Sequence, residues 1–105
     1  MPDLQVIARH TMAAGKEGEV LPLYPKLIAA STQEPGNVSF VAYRGLDDDR
    51  EIVLLERYAS REAFEEHRAS PHFKELVLEG IVPLLANRTI EMFDAEDPPH
   101  GRPSD

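Results

Sequence analysis

The sequence contains no cysteine and no tryptophan. Without cysteine the chain has no disulfide, no thiolate metal ligand and no cysteine nucleophile, and this suits a reducing compartment. No stretch approaches the roughly 20 consecutive apolar residues that a membrane-spanning helix needs, and the first residues lack the basic and apolar regions of a secretory signal. These absences lead us to expect a cytoplasmic protein.

Basic residues are also few. The chain has 11 Lys and Arg against 19 Asp and Glu, a formal net charge of −8, which argues against nucleic acid or an anionic membrane as partner. Four of the acids and one arginine fall within the last twelve residues, in DAEDPPHGRPSD. We expect one domain over residues 1–94 and a disordered acidic, Pro-rich tail over residues 95–105.

The central stretch, residues 34–73, predicts most of the fold. Glu34-Pro35-Gly36-Asn37 fits a type II turn, with Gly36 at the position that needs a positive φ. β-branched and aromatic residues then predict two strands, residues 38–46 and 51–58, joined as a hairpin through an acidic loop. Ser60 is a predicted helix N-cap, and Ser70-Pro71 predicts the start of a further helix.

The flanking segments complete the order of elements. Alternation predicts a strand over residues 4–11 with His10 on the Leu4 face, and TIEMF, residues 89–93, predicts a last strand. Helical spacing continues to Ser31, with a loose opening turn near residues 19–22 because Pro22 and Pro25 interrupt hydrogen bonding. The order β, α, β, β, α, α, β is that of a ferredoxin-like split βαβ sandwich, of class α+β with an antiparallel four-stranded sheet.

Both faces of the predicted hairpin are apolar. One face has Val38, Phe40, Ala42, Ile52 and Leu54, and the other has Val41, Tyr43, Val53 and Leu55, with Ile7 or Phe93 as possible neighbours. Large exposed apolar patches are rare on monomers. We therefore expect a homodimer formed through the sheet face, and a ligand pocket lined by these residues can coexist with it.

An ordered set of motifs resembles a known family. EPGN, a strand, an Asp-rich hairpin, LLERY and EAFEEHRASPHF, within a similarity over about residues 4–93, resemble the antibiotic biosynthesis monooxygenase (ABM) domain, and within it the small bacterial quinol monooxygenases. The resemblance implies a dimeric α/β-barrel type of ferredoxin-like fold. It also implies oxidation of a quinol or small polyphenol with dioxygen, without a metal or flavin cofactor.

Such chemistry needs a base inside an apolar pocket. His67 lies on the helix face that should look toward the sheet, where it is either the base or a core histidine tied to a carboxylate. Glu56 points into the same apolar layer as Ile52, and we expect His67 or a backbone group to hold it. His72, beside the start of the next helix, is a further acid–base candidate or is merely exposed.

Other candidates are weaker. Asn37 matches the asparagine of the family's EPGN, implied to bind substrate in some relatives, although asparagine also suits a turn end. Tyr43 and Tyr58 are candidate pocket walls, while His10 and Arg9 are candidates for an anionic substrate group. No metal is expected. No two ligands show the i, i+4 spacing of a HEXXH-type site, and His67 and His72 are separated by a helix break.

Two other functions remain open from the sequence. An isomerase of a small phosphorylated hydroxyketone would need Arg9, Arg44 and Arg57 to converge as a basic pocket. A non-catalytic dimeric ligand-binding or stress-response module would use the same polar residues as structural pairs. The resemblance implies that haem-degrading relatives use an asparagine on the first strand and a tryptophan. This chain has neither, so haem degradation is disfavoured.

Overall fold

The computed structural model of this chain describes residues 2–96. One antiparallel sheet has the strand order β2-β3-β1-β4, and helices pack on one of its faces. The strands are β1 (Asp3–Met12), β2 (Asn37–Arg44), β3 (Glu51–Tyr58) and β4 (Leu85–Ala95), and the helices are α1 (Glu17–Val20), α2 (Leu23–Ser31), α3 (Arg61–Arg68) and α4 (Phe73–Ile81), followed by the 3-10 turn Val82–Leu84. The ferredoxin-like α+β class is thus confirmed.

Strand β1 lies in the middle of the sheet and pairs with both β3 and β4. Its alternate residues, from Leu4 to Met12 and including His10, are all buried on the helix-covered face. This inner face packs against α2 and α4 through Leu27, Val77 and other apolar residues. The predicted alternation of β1 is therefore confirmed, with one residue added at each end.

The two prolines of the first helical region lie where they cost little. Pro22 is the N-cap of α2 and Pro25 is its third residue, so neither removes a hydrogen bond between helical turns. A short separate helix, α1, precedes them and places the buried Val20 against the core. The predicted division into a loose opening turn and a better helix is thus confirmed, although α1 begins at Glu17.

The turn before β2 differs from the prediction. The Asn37 amide donates to the Glu34 carbonyl at 3.1 Å, as in a β-turn, but Gly36 does not have the positive φ of a type II turn. A Cβ at Gly36 would instead lie 2.3 Å from the Cβ of Ala63 on α3. Glycine is needed here because a helix packs directly on the turn.

The last helix and strand also depart from expectation. Ser70 Oγ accepts from the Phe73 amide at 3.2 Å, which confirms the predicted cap. Helix α4 then continues as a π-helix, with the Val82 amide donating to the Val77 carbonyl.

Strand β4 begins at Leu85 and pairs along the whole of β1, so the predicted strand over residues 89–93 was too short. Pairing with β1 extends β4 through Asn87 and Arg88, although strand propensity alone does not predict a strand at these residues. Ala95 belongs to β4, and residues 97–105 of the expected tail lie outside the described residues.

The second sheet face carries apolar side chains that no helix of the described chain covers. Ile7, Val41, Val53 and Leu55 are half-buried there, and Tyr43 and Phe93 are exposed. The sequence pattern groups Val38 with Phe40 on one face, but Val38 falls at a β-bulge between Asn37 and Ser39 and is exposed.

No helix within residues 2–96 is both long enough and apolar enough to cross a bilayer.

Candidate active site

A cavity of about 500 Å³ lies between the inner face of the sheet and the helices α3 and α4. Its floor comes from β1, β2 and β3, and its open side lies along β4, where Ile90 and Met92 remain exposed. Most of its lining is apolar. The polar and charged side chains that reach it are His10, Glu56, Glu65, His67, Arg68 and Arg88.

His67 is held in the wall of this cavity by α3. The Ser60 hydroxyl caps the helix by accepting from the Ala63 amide at 3.0 Å, and this start turns Phe64 and His67 toward the sheet. The imidazole is 2% exposed and is surrounded by aromatic rings, Phe73 among them at 5.2 Å between ring centroids. The predicted inward orientation of His67 is confirmed.

Glu34 fixes the ring of His67. Its Oε2 lies 2.8 Å from His67 Nδ1, so the imidazole donates its Nδ1 proton to the carboxylate and Nε2 is left with its lone pair. Burial lowers the pKa of His67, and the hydrogen bond and charge of Glu34 partly oppose that effect. The arrangement is a carboxylate-oriented imidazole, the form of histidine that serves as a general base.

The same carboxylate also binds His72. Glu34 Oε2 accepts a hydrogen bond from His72 Nε2, so one carboxylate joins two imidazoles. His72 is neither merely exposed nor part of the cavity wall: its side chain is 24% exposed and does not line the cavity. It is a second partner of the carboxylate that orients the His67 ring.

Glu56 faces the cavity from β3 and is 5% exposed. The Tyr58 hydroxyl donates to its Oε1 at 2.6 Å, while His67 Nε2 is 3.9 Å from the same oxygen. Tyr58, expected as a pocket wall, is instead a fully buried partner of this carboxyl group. Burial raises the pKa of Glu56 to about 7, so the group can hold or release a proton near neutral pH.

Our expectation for the partner of Glu56 was incomplete. We expected His67 or a backbone group, and the structure has the tyrosine two residues along β3 as the direct hydrogen-bond donor. Side chains at i and i+2 of a strand share a face, so this pairing was available from the sequence. The carboxylate that binds His67 directly is Glu34, from the EPGN turn.

His10 and Arg88 form the other polar end of the cavity. They are register partners on β1 and β4, and His10 Nδ1 lies 2.8 Å from the Tyr24 hydroxyl. Within residues 2–96, His10 Nε2 and Arg88 Nε are buried without a hydrogen-bond partner. Burial, with a smaller contribution from the charge of Arg88, lowers the pKa of His10 to about 4. A neutral histidine and an arginine thus present nitrogen atoms that a ligand oxygen can satisfy.

Three other predicted site residues do not line the cavity. Arg9 lies on the opposite face of the sheet, where it pairs with Glu91 at 3.3 Å, and Tyr43 is exposed on that face. Asn37 donates to the Ser39 carbonyl at 3.3 Å, a local contact at the start of β2. Spacing along the strands already put Arg9 and Tyr43 on the face opposite His10 and Phe40.

Sequence reasoning missed Glu34 and Arg88. The signal for Glu34 was its place in the EPGN motif, and the signal for Arg88 was a charged residue just before the short apolar run TIEMF. The spacing argument against a metal site also missed a feature of the fold. Glu34, His67 and His72 come from separate segments, yet their ligand atoms all lie within 4.8 Å of one another.

Fold and site together define a ferredoxin-like α+β protein with a buried acid–base cluster beside an apolar cavity. The family model described as antibiotic biosynthesis monooxygenase matches residues 4–77. This chain belongs to the antibiotic biosynthesis monooxygenase family.

Individual relatives agree with this assignment. A curated Mycobacterium tuberculosis protein named "Putative monooxygenase Rv0793" is 38% identical over 68 residues, which are 65% of this chain and 66% of that protein, slightly under two thirds of its length. The solved structure of Rv0793 is 30% identical with a TM-score of 0.84, over 91% of this chain and 97% of that one. A crystal structure of an antibiotic biosynthesis monooxygenase is also 30% identical, with a TM-score of 0.83, over 89% of this chain and 98% of that one.

Proposed function

We propose that this chain is a cofactor-independent monooxygenase that oxidises a quinol or small polyphenol with dioxygen. The single observation that carries the proposal is the His67 imidazole. It is buried at an apolar cavity, its Nδ1 proton is engaged by Glu34, and its Nε2 is left as a base beside Glu56. Membership of the family and the similarity to named monooxygenases support the reaction class.

The cavity has the size and polarity for one small aromatic ligand. Its volume of about 500 Å³ lies within the usual range for small-molecule sites, and apolar side chains such as Phe40 and Leu54 line its floor. The acid–base end at His67 and Glu56 suits a hydroxyl that loses its proton. The end at His10 and Arg88 suits the second oxygen of the quinol, whose lone pairs can accept a hydrogen bond from the guanidinium.

The reaction then follows without an added reductant. His67 Nε2 accepts a phenolic proton, and the quinolate transfers an electron to dioxygen. The resulting radicals combine to form a carbon–oxygen bond at a ring carbon. Protonated His67 returns its proton to the outer peroxide oxygen. Loss of the ring carbon's hydrogen as a proton then breaks the oxygen–oxygen bond, and the outer oxygen leaves as water. Quinol and dioxygen thus give hydroxyquinone and water, with the quinol supplying the electrons. The apolar walls exclude bulk water from the anion.

We further propose that the active form is a homodimer joined through the open sheet face. The apolar residues on that face, Leu55 and Phe93 among them, form a continuous region that a second copy covers in the simplest symmetric way. The cavity lies on the other side of the sheet, so the two copies keep separate sites.

The alternative isomerase needed a basic pocket of three arginines, and the structure separates them. Arg9 is on the open face, Arg44 donates to the Asp49 carbonyl at the hairpin, and Arg57 pairs with Asp3 at the far end of β3. Among the described residues, these three arginines therefore do not form the basic pocket that the isomerase hypothesis required. This observation favours the oxygenase.

The test is oxygen consumption by chelator-treated, flavin-free protein with a panel of reduced benzoquinones and naphthoquinones. We expect turnover with at least one quinol, release of hydroxyquinone and a loss of about 10²–10⁴-fold in kcat for His67→Ala. The exposed Glu62→Gln on the same helix should leave the rate unchanged. Quinol binding without oxygen consumption across the panel would refute the proposal and favour a non-catalytic ligand-binding module.

A further inference from the structure

We propose that Glu34, His67 and His72 form a binding site for one divalent transition-metal ion of the zinc type. The inference goes beyond the proposed function and does not depend on it. It rests on three ligand-bearing side chains that the fold brings together, with two imidazole nitrogens and one carboxylate whose ligand atoms all lie within 4.8 Å of one another.

The three side chains come from segments that are fixed independently. Glu34 sits in the turn where Gly36 packs on Ala63, and His67 is on the capped helix α3. His72 lies in the helical turn that Ser70 starts by accepting from the Phe73 amide. The site is therefore largely formed before any ion binds, which keeps the conformational cost of binding low.

Binding an ion requires a rearrangement within the triad. Glu34 Oε2 is 2.8 Å from His67 Nδ1 and also contacts His72 Nε2, so this oxygen now joins the two imidazoles. Ligand atoms around a tetrahedral Zn²⁺ with bonds of about 2.0–2.1 Å lie roughly 3.3–3.5 Å apart. The carboxylate must therefore withdraw from between the rings, and the ion then takes the place of the two protons that the imidazoles now donate to Glu34.

The surroundings fit an ion with an exchangeable fourth ligand. His67 is 2% exposed, whereas the side chains of Glu34 and His72 are 16% and 24% exposed, so one side of the triad is open to water. Three protein ligands and a water are the usual complement of a zinc site with an open position. The single carboxylate and the net charge of −8 favour a cation.

The carboxyl group of Glu56 lies where a metal-bound His67 ring would need a hydrogen-bond acceptor. A metal on His67 Nδ1 leaves the ring proton on Nε2, and Glu56 Oε1 lies 3.9 Å from that nitrogen. Metal-bound imidazoles commonly donate their other ring proton to a carboxylate. Since Nε2 is the atom assigned as base, an ion at this site would block quinol oxidation.

The first test titrates chelator-treated protein with Co²⁺ and Zn²⁺ alone, followed by calorimetry and by the visible absorption of bound Co²⁺. We expect one ion per chain. Affinity should fall at least about tenfold in Glu34→Gln and in His72→Asn, and stay unchanged in the matched Glu62→Gln. A loss of the same size in Glu62→Gln, or no loss in the triad variants, would overturn the proposal.

A second measurement needs no variant, so it holds even if a substitution impairs folding. Zn²⁺ added to the wild-type chain should shift the ring signals of His67 and His72 in nitrogen–proton NMR spectra, while those of His10 stay in place. Shifts confined to His10 or to His100, which lies outside the described residues, would mean that the ion binds elsewhere. That result would also overturn the site.

Discussion

Individual residues divide the cavity into two chemically distinct ends. At one end His67 Nε2 lies 3.9 Å from Glu56 Oε1, and burial lowers the pKa of His67 and raises that of Glu56 to about 7. At the other end His10 and Arg88 present nitrogen atoms without protein partners among residues 2–96. A ligand oxygen there can make hydrogen bonds that the folded chain leaves unmade. Its contribution to the free energy of binding is therefore large.

Arg88→Gln should therefore weaken quinol binding. We expect KM to rise about 10–100-fold, the cost of removing a hydrogen bond from a charged donor, with a smaller effect on kcat. Arg44→Gln is the control, since Arg44 is an exposed arginine at the hairpin and does not line the cavity, and KM should change less than twofold. Steady-state oxygen consumption by both variants checks the prediction, and equal effects would contradict it.

His10 should make the fold sensitive to acid. Burial, assisted by the charge of Arg88, lowers its pKa from 6.5 to about 4, so between those values the unfolded chain binds a proton that the folded chain refuses. The contribution of neutral His10 to the free energy of unfolding is fully present above pH 6.5. It is lost as pH falls toward 4, by up to about 3 kcal/mol. Glu56, with a pKa raised to about 7, acts in the opposite direction over part of this range.

Comparing the wild type with a His10 variant isolates the contribution of this histidine to the pH dependence of stability. In His10→Gln, which keeps a polar partner for Tyr24, the free energy of unfolding should fall less between pH 7 and pH 4 than in the wild type. Urea denaturation at a series of pH values measures this difference. Identical pH slopes for the two proteins would show that His10 does not carry the effect.

Among the structural elements, the turn before β2 and helix α3 act as one unit. The turn carries Glu34, the helix carries His67, and they touch at Gly36 and Ala63. The absent side chain at Gly36 therefore sets how closely the carboxylate approaches the imidazole. The packing of these two elements, rather than either one alone, fixes the orientation of the His67 ring.

Gly36→Ala should consequently disturb both stability and the site. The added Cβ would lie 2.3 Å from that of Ala63, and such overpacking costs about 1–3 kcal/mol. Gly36→Ala/Ala63→Gly should recover most of this loss, because it removes the opposing atom. Gly18→Ala, where nothing lies within 4 Å, should not destabilise the fold. Thermal unfolding of the three variants and the wild type measures these effects. Failure of the double variant to recover stability would contradict the prediction.

Across the whole molecule, local patterns predicted the fold and long-range contacts determined the site. Alternation placed His10 and Glu56 on the inner face, and helix capping placed His67, because those features depend on neighbours in sequence. Glu34 meets His67 and Arg88 meets His10 only through tertiary packing and strand pairing, which a single sequence does not reveal. The extension of β4 has the same origin, because it follows from pairing along the whole of β1.

The open face of the sheet is the feature that the proposed homodimer explains. Leu55 lies in its middle, on β3 between the paired strands β1 and β2, and a lysine there would place a charge in the proposed dimer interface. Leu55→Lys should therefore yield a monomer that keeps its fold, measured as molecular mass by sedimentation or light scattering. Leu46→Lys is the control, because Leu46 is fully exposed in the hairpin loop and its replacement should leave the mass unchanged. A wild-type chain that sediments as a monomer, or a Leu55→Lys variant that remains a dimer, would show that this face is not the interface.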